Sequence, residues 1–379
     1  MKPPRTLSLL LTLVLTLIGS AHAGSENTSE RATQANRKQN QVRAVASYRA
    51  LQQHFLEAGG LYLEAYLNTS DNPYSYVWPF SQAMTATLDM TALPRVGKQY
   101  QDELARDLKA LELYWNDTTT PPGYDSYVRP PLGQGGDKFY DDNEWLALEF
   151  LRLFERTADE AYLERAKEIF ALVIYGWDDD PSHPCPGGVF WTQADWSQDR
   201  NTISNAPGAQ IGVRLFEITK DASYLGWAER MVAWTDGCML APNGLYWDHI
   251  DLEGNLDETQ WSYNQGMMIG AKVLLYQATG NSSHLRQAQR IAKAALEYYG
   301  SAGRYSTQPA RFNAIFFKNL LLLDEEAANP AYREAMQTYA DEVWRSTREP
   351  GTNLFKFEEP VTLLEQAAMA QIYATLAQR

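Results

Sequence analysis

Asp141 and Asp142 stand side by side in the segment Tyr140-Asp141-Asp142-Asn143-Glu144-Trp145, directly after the glycine-rich approach Gly133-Gln134-Gly135-Gly136. Paired carboxyl groups can divide the work of breaking a glycosidic bond, one donating a proton while the other attacks the sugar or activates water. Spacing decides the stereochemistry: about 5–5.5 Å between carboxyls gives retention, and about 6.5–9.5 Å gives inversion. Neighbouring side chains in a regular helix diverge, but consecutive residues across a cap and first turn can aim into one cleft at the shorter separation. A plainer alternative stands beside this one, because Asp is a common N-cap and acidic first turns are ordinary helix design.

The company of the pair tips the balance. Four further helix starts carry Trp78-Pro79-Phe80-Ser81-Gln82, Ile203-Ser204-Asn205-Ala206-Pro207, Trp261-Ser262-Tyr263-Asn264-Gln265-Gly266 and Arg311-Phe312-Asn313. Amides hydrogen-bond sugar hydroxyls, while Trp and Tyr offer flat apolar faces to a pyranose ring. The candidate substrate-binding residues are therefore Trp78, Gln82, Asn143, Asn205, Trp261, Tyr263, Asn264, Gln265 and Arg311.

Other chemistries find less support. Asp178-Asp179-Asp180-Pro181 reads as a solvated acidic turn without the spacing of a Ca²⁺ loop, and His54, His183, His249 and His284 form no i, i+4 ligand pair. Neither a Gly-x-Ser-x-Gly elbow nor a phosphate-binding Gly-Lys-Ser/Thr loop occurs. No metal or organic cofactor is expected. The net charge of −14 disfavours nucleic acid and anionic lipid, whereas neutral polysaccharide is indifferent to it. Cys185 and Cys238, the two cysteines, could form one disulfide or remain separate thiols.

The elements that would position these residues follow from a repeat. Thr157-Ala-Asp159, Thr219-Lys-Asp221 and Thr279-Gly-Asn281 recur about every 60 residues, each followed by a Tyr/His-Leu pair and then Ala, with a weaker copy at Asn329-Pro330. Asp or Asn there reads as the N-cap of a second helix, so each copy marks a tight helical hairpin. Helices are expected over 41–68, 79–92, 94–115, 141–157, 159–176, 204–219, 221–239, 259–279, 281–301, 309–328, 329–348 and 360–378. An all-α (α/α)6 barrel results, six inner helices inside six outer ones, with short strands or hairpins on the rim that carries the candidate site. An open solenoid of stacked pairs is the alternative; alternation of more apolar with more charged helices favours the closed ring.

At the N-terminus, Lys2 and Arg5 precede the apolar run Leu7 to Ile18, and Ala21-His22-Ala23 offers a small-x-small cleavage site. Residues 1–23 are expected to be a signal peptide, 24–40 a disordered polar leader and 41–379 one barrel domain. The location is then secreted or periplasmic. No membrane anchor is expected, since nothing downstream approaches about 18 uninterrupted apolar residues.

The segments 140–145, 204–207, 261–266 and 312–318, in that order, resemble the α-1,6-mannanases of glycoside hydrolase family 76. That resemblance implies an (α/α)6 barrel, retaining endo-hydrolysis of α-1,6-mannan, Asp141 as nucleophile and Asp142 as general acid/base. It also implies a sugar-binding role for Asp248 in Tyr246-Trp247-Asp248. Transglycosylation on mannose-containing glycans and noncatalytic glycan binding on the same scaffold are the alternatives.

Overall fold

The computed structural model describes residues 12–67 and 72–378. Its hairpin turns show what the repeat does. Thr157, Thr219 and Thr279 each donate their hydroxyl to the carbonyl four residues back, at 2.8, 2.7 and 2.6 Å, and accept from the N–H two residues ahead. The residue between turns left-handed (Ala158, Lys220, Gly280), which ends the helix. Asp159, Asp221 and Asn281 then cap the next one, accepting from Ala161, Ser223 and Ser283 N–H at 3.0, 2.9 and 3.1 Å. Asn329 repeats the cap on Ala331, with Pro330 at the first helical position.

Twelve α-helices follow among the described residues: α1 Thr12–Phe55, α2 Val77–Thr91, α3 Gln101–Leu111, α4 Tyr140–Thr157, α5 Glu160–Tyr175, α6 Thr202–Thr219, α7 Ala222–Cys238, α8 Ser262–Thr279, α9 Ser282–Gly300, α10 Ala310–Glu326, α11 Pro330–Ser346 and α12 Leu363–Gln378. The even-numbered helices pack in sequence, α2 on α4 and onward to α12, and α12 returns to α2. The odd-numbered ones lie outside, each against an inner partner. Closure at the seam is made by Gln371 and Gln378, whose amides donate to the Gln82 and Asp89 carbonyls at 2.9 and 2.8 Å. The ring is therefore closed, and the open solenoid is excluded. α12 shows the inner-helix pattern in its strongest form, with every residue from Leu363 to Ala377 buried.

Hairpin connectivity puts every inner-helix N-terminus at one end, where the longer loops form the short strands expected there. β1 (Trp115–Asn116) pairs with β2 (Gly123–Tyr124), while β3 (Asp199–Asn201), β4 (His249–Asp251) and β5 (Leu256–Asp257) form an antiparallel sheet in that order. Below the rim, the inner helices enclose a polar cavity of about 230 Å³. On its wall Asp89 of α2 binds Arg152 of α4 and Lys318 of α10, both at 2.7 Å.

Three expectations change. The first helix ends at Phe55 rather than 68, where Gly59 and Gly60 take positive φ. The region 94–115 opens with a 3-10 turn, Gly97–Tyr100, before α3. Residues 24–40 lie within α1 rather than in an irregular leader. After Gly24 that stretch contains neither Gly nor Pro and abounds in Glu, Ala, Arg, Gln and Lys, so a helix nucleated by the packed part can propagate through it. Residues 33–39 are exposed, and Asn40 is buried. Of the expected signal peptide, residues 1–11 lie outside the described residues. No described helix is long and apolar enough to cross a membrane.

The acidic run 178–180 is a structural anchor. Asp178 meets the fully buried Arg200 at 2.7 Å and accepts from His183, while Arg200 also donates to the Pro184 and Asp251 carbonyls. Cys185 and Cys238 are disulfide-bonded, tying the same loop to the end of α7. Removing one member of a buried pair strands the other charge, so Asp178→Ala should lower the unfolding free energy by about 3–5 kcal/mol in urea titrations. A loss below about 1 kcal/mol would mean that Arg200 is compensated elsewhere.

Candidate active site

Phe139 is extended (φ −93°, ψ 134°) and α4 begins at Tyr140, so Asp141 and Asp142 occupy the first turn, where backbone N–H groups lack helical partners. The position of Phe139 is fixed from outside: Tyr140 N–H donates to the Trp191 carbonyl at 2.9 Å, and Phe139 bridges to Thr192. Asp141 is buried, and burial pushes its carboxyl up to about 7, against the backbone amides of Asp142 and Asp141 and the Trp191 side chain, which favour the ionised form; the charge of Asp248 adds to the rise. Asp142 is held well above the usual carboxylate range by burial first, then by the charges of Asp141 and Glu64. Donors therefore favour ionisation of Asp141, while like charge keeps Asp142 protonated. The pair is built to keep a proton at neutral pH.

Asn143, Asn205 and Gln265 sit elsewhere than expected. Each is fully buried at the fourth position of an inner helix, and each grips the preceding rim loop. Asn143 accepts from Tyr124 N–H at 2.7 Å and donates to the Tyr124 and Phe139 carbonyls. Asn205 accepts from Val189 N–H and donates to the Asn201 carbonyl; Gln265 accepts from Tyr246 N–H and donates to the Tyr246 and Trp261 carbonyls. Asn313 of α10 and Gln366 of α12, at the same position, bind the Tyr305 carbonyl and the Phe355 N–H. With their hydrogen bonds committed to backbone, these amides hold rim loops rather than a ligand. Gln82 also leaves the mouth: it lines the central cavity and its carbonyls receive Gln371.

Of the remaining candidates, Asp248 and Tyr263 come within reach of the Asp141 charge, and Trp78, Trp261, Tyr263 and Arg311 gather around Phe312. Asp248 accepts from Asn264 Nδ2 at 3.0 Å and pairs with His249 Nδ1 at 3.0 Å, and its charge reaches both Asp141 and Tyr263. Asn264 Oδ1 is buried with no hydrogen-bond partner. Tyr263 stacks on Phe312 at 3.9 Å, and Trp261 and Trp78 flank Phe312 at 5.3 and 6.2 Å. Arg311 lies over Trp78 and Phe312 and forms an ion pair with Glu365 of α12. Ligand atoms of Asp248, His249 and Asp257 lie within 4.8 Å of one another. The bond to Asp248 raises the His249 pKa, which favours the imidazolium beside these carboxylates.

Sequence reasoning missed Glu64, Glu365, Phe312, Trp191 and Trp196. Phe312 stood inside the helix start Arg311-Phe312-Asn313, and Trp191 lies in one of the rim loops expected to form short strands or hairpins. Glu365 could have been found as the acid in the first turn of the last inner helix; Glu64, in the irregular stretch after α1, carries no local signal.

The raised Asp141 pKa has a stability consequence. At about pH 4 and below, the carboxyl is protonated in both folded and unfolded chains; between there and 7 only the unfolded chain gains by ionising, at no more than about 1.4 kcal/mol per pH unit. Asp141→Asn cannot ionise. Its melting temperature should match wild type near pH 4, rise above it toward pH 7 and hold the gain beyond; thermal scans showing equal melting at pH 8 would contradict the burial account.

Comparison with known proteins fits this geometry. The mannan endo-1,6-α-mannosidase DCW1 of Saccharomyces cerevisiae is 29% identical over 166 residues, covering 40% of this chain and 36% of the relative. The Candida albicans protein of that name is 26% identical over 190 residues, covering 46% and 41%. The chain thus matches less than half the length of these curated relatives. Among solved structures, a family 76 mannosidase of Bacteroides thetaiotaomicron superposes with a TM-score of 0.78 at 21% identity, covering 90% of this chain and 98% of its own. An α-1,6-mannanase of Salegentibacter, an inactive variant with two consecutive aspartates replaced by asparagine and bound to α-1,6-mannotriose, gives 0.73 at 22% identity, covering 89% and 99%. These likenesses establish the (α/α)6 barrel. The model of glycosyl hydrolase family 76 matches residues 44–372, and the chain belongs to that family.

Proposed function

We propose that this protein is a retaining endo-α-1,6-mannanase acting outside the cytoplasm. The observation that carries the reading is the Asp141–Asp142 pair in one helical turn, Asp141 buried and Asp142 half-buried, with the two carboxyls tuned apart. Support comes from the relatives: the curated ones are named endo-1,6-α-mannosidases, and the Salegentibacter mannanase was inactivated at two consecutive aspartates. Adjacent positions in a first turn also suit the closer carboxyl spacing of retaining enzymes.

In the proposed cycle Asp142, the protonated member, gives its proton to the glycosidic oxygen as Asp141 attacks the anomeric carbon, forming a glycosyl-enzyme. Asp142 then takes a proton from water as that water releases the sugar, which restores both carboxyls. Asp248, held by Asn264, and Arg311 offer hydrogen bonds to hydroxyls, and Trp78, Trp261 and Tyr263 supply the apolar faces. A cleaved leader ending near Ala23 and a barrel domain over 41–379 complete the reading, in keeping with a disulfide formed in an oxidising compartment.

Two variants separate the roles. Asp142→Ala should still form a glycosyl-enzyme from aryl mannosides whose leaving group needs little protonation, and azide should trap it as the α-mannosyl azide, configuration retained. Asp141→Ala should release no retained product, and any azide adduct should be the inverted β form. Exchange of the two stereochemical outcomes would reverse the assignment. On unbranched α-1,6-mannan each variant should lose at least about a hundredfold in kcat/KM, and near-normal turnover would remove the pair from the mechanism.

A further inference from the structure

Trp196 is more than half exposed, at 56%, yet it is not loose. It lies in the turn Ala194–Ser197, closed by Ser197 N–H on the Ala194 carbonyl at 2.9 Å. The turn is pinned to the segment leading into α4: Gln193 N–H and the Thr192 hydroxyl both donate to the Lys138 carbonyl, at 2.9 and 2.8 Å. The indole meets Trp191 edge-on at 6.0 Å (77°) and Phe139 at 6.1 Å. Trp191 in turn crosses Phe139 at 4.9 Å, and its side chain lies close enough to the Asp141 carboxyl to favour the charged form. A continuous line of aromatic rings thus leads from Asp141 out to a Trp whose indole is largely uncovered by the fold.

Exposing an indole forfeits apolar burial, and this one is exposed on a loop held at two points, so its position is set before any ligand arrives. A flat apolar face of fixed position suits the apolar face of a hexopyranose ring, and here it is continuous with the catalytic cleft. Resting on the mannanase reading above, we infer that Trp196 is the platform of a distal subsite, binding a mannosyl unit beyond the one that reacts and setting the enzyme's preference for longer α-1,6-mannan chains. Trp191 acts on Asp141 directly through its side chain; Trp196 touches no catalytic group and acts only on chains long enough to reach it.

The test is kcat/KM across α-1,6-mannooligosaccharides of increasing length, measured for wild type, Trp196→Ala and Trp196→Tyr. Wild-type kcat/KM should climb with length until the subsite is filled. Trp196→Ala should match wild type on the shortest cleaved chain and fall about tenfold on the longer ones, while Trp196→Tyr, which keeps a ring face, should recover most of that loss. An unchanged length profile in Trp196→Ala, or an equal loss at every length, overturns the subsite while leaving the mannanase reading in place. Failure of the wild type to cleave any member of the series overturns both.

Discussion

Two carboxyl groups placed next to each other, one buried and one half-buried, cannot both ionise cheaply, and the upper half of this molecule is organised around that constraint. Burial alone would leave Asp141 and Asp142 both neutral and therefore chemically alike. The fold makes them different. Backbone amides of the α4 first turn and the Trp191 side chain favour charge on Asp141, while Asp142 faces the charges of Asp141 and Glu64. Two carboxyls of one residue type are thus set apart by environment, as the proposed division into acid and nucleophile requires.

Such tuning requires the surrounding loops to stay in register, and the inner-helix amides provide this. A buried Asn or Gln at the fourth position of α4, α6, α8 and α12 ties backbone of the preceding loop to its own helix, and Asn313 does the same from α10. The loops before α4, α6 and α8 carry Tyr124, Val189 and Tyr246 to these clamps. Next to two of them stand Trp191 and Asp248. A buried amide that holds both an N–H and a carbonyl is a strong local constraint, because losing it strands backbone polar groups. Beyond each clamp the loop can present other side chains without disturbing the ring, as the Trp196 turn does.

The architecture was legible because its determinants are local. Thr157-Ala-Asp159 and its copies encode a helix stop and a helix start within three residues, so the hairpins and the helix count follow from reading along the chain. The placing of Asp141 and Asp142 in the first turn of an inner helix was legible for the same reason. Asn143, Asn205 and Gln265 were found by residue type and position, but their loop contacts were not, since an amide at a helix start looks alike whether it faces a sugar or a loop from another part of the chain. Glu64 and Trp196 depend on contacts across the rim that no spacing announces. The extent of α1 was missed because a polar segment without apolar periodicity resembles a disordered one, although its residues are good helix formers.

At the other end of the barrel, Asp89 is clamped by Arg152 and Lys318 and held in its charged form, the reverse of the condition imposed on Asp141. The same barrel interior therefore carries a neutralised carboxylate at its base and a proton-retaining pair at its mouth, and the difference lies in which partners the inner helices bring. The most direct test is to follow carboxyl carbons of ¹³C-Asp-labelled protein by NMR across pH, assigned with Asp141→Asn and Asp142→Asn. The account predicts one signal ionising near 7 and a second remaining protonated well above it. Two aspartates ionising together near 4, as in a solvated first turn, would contradict it.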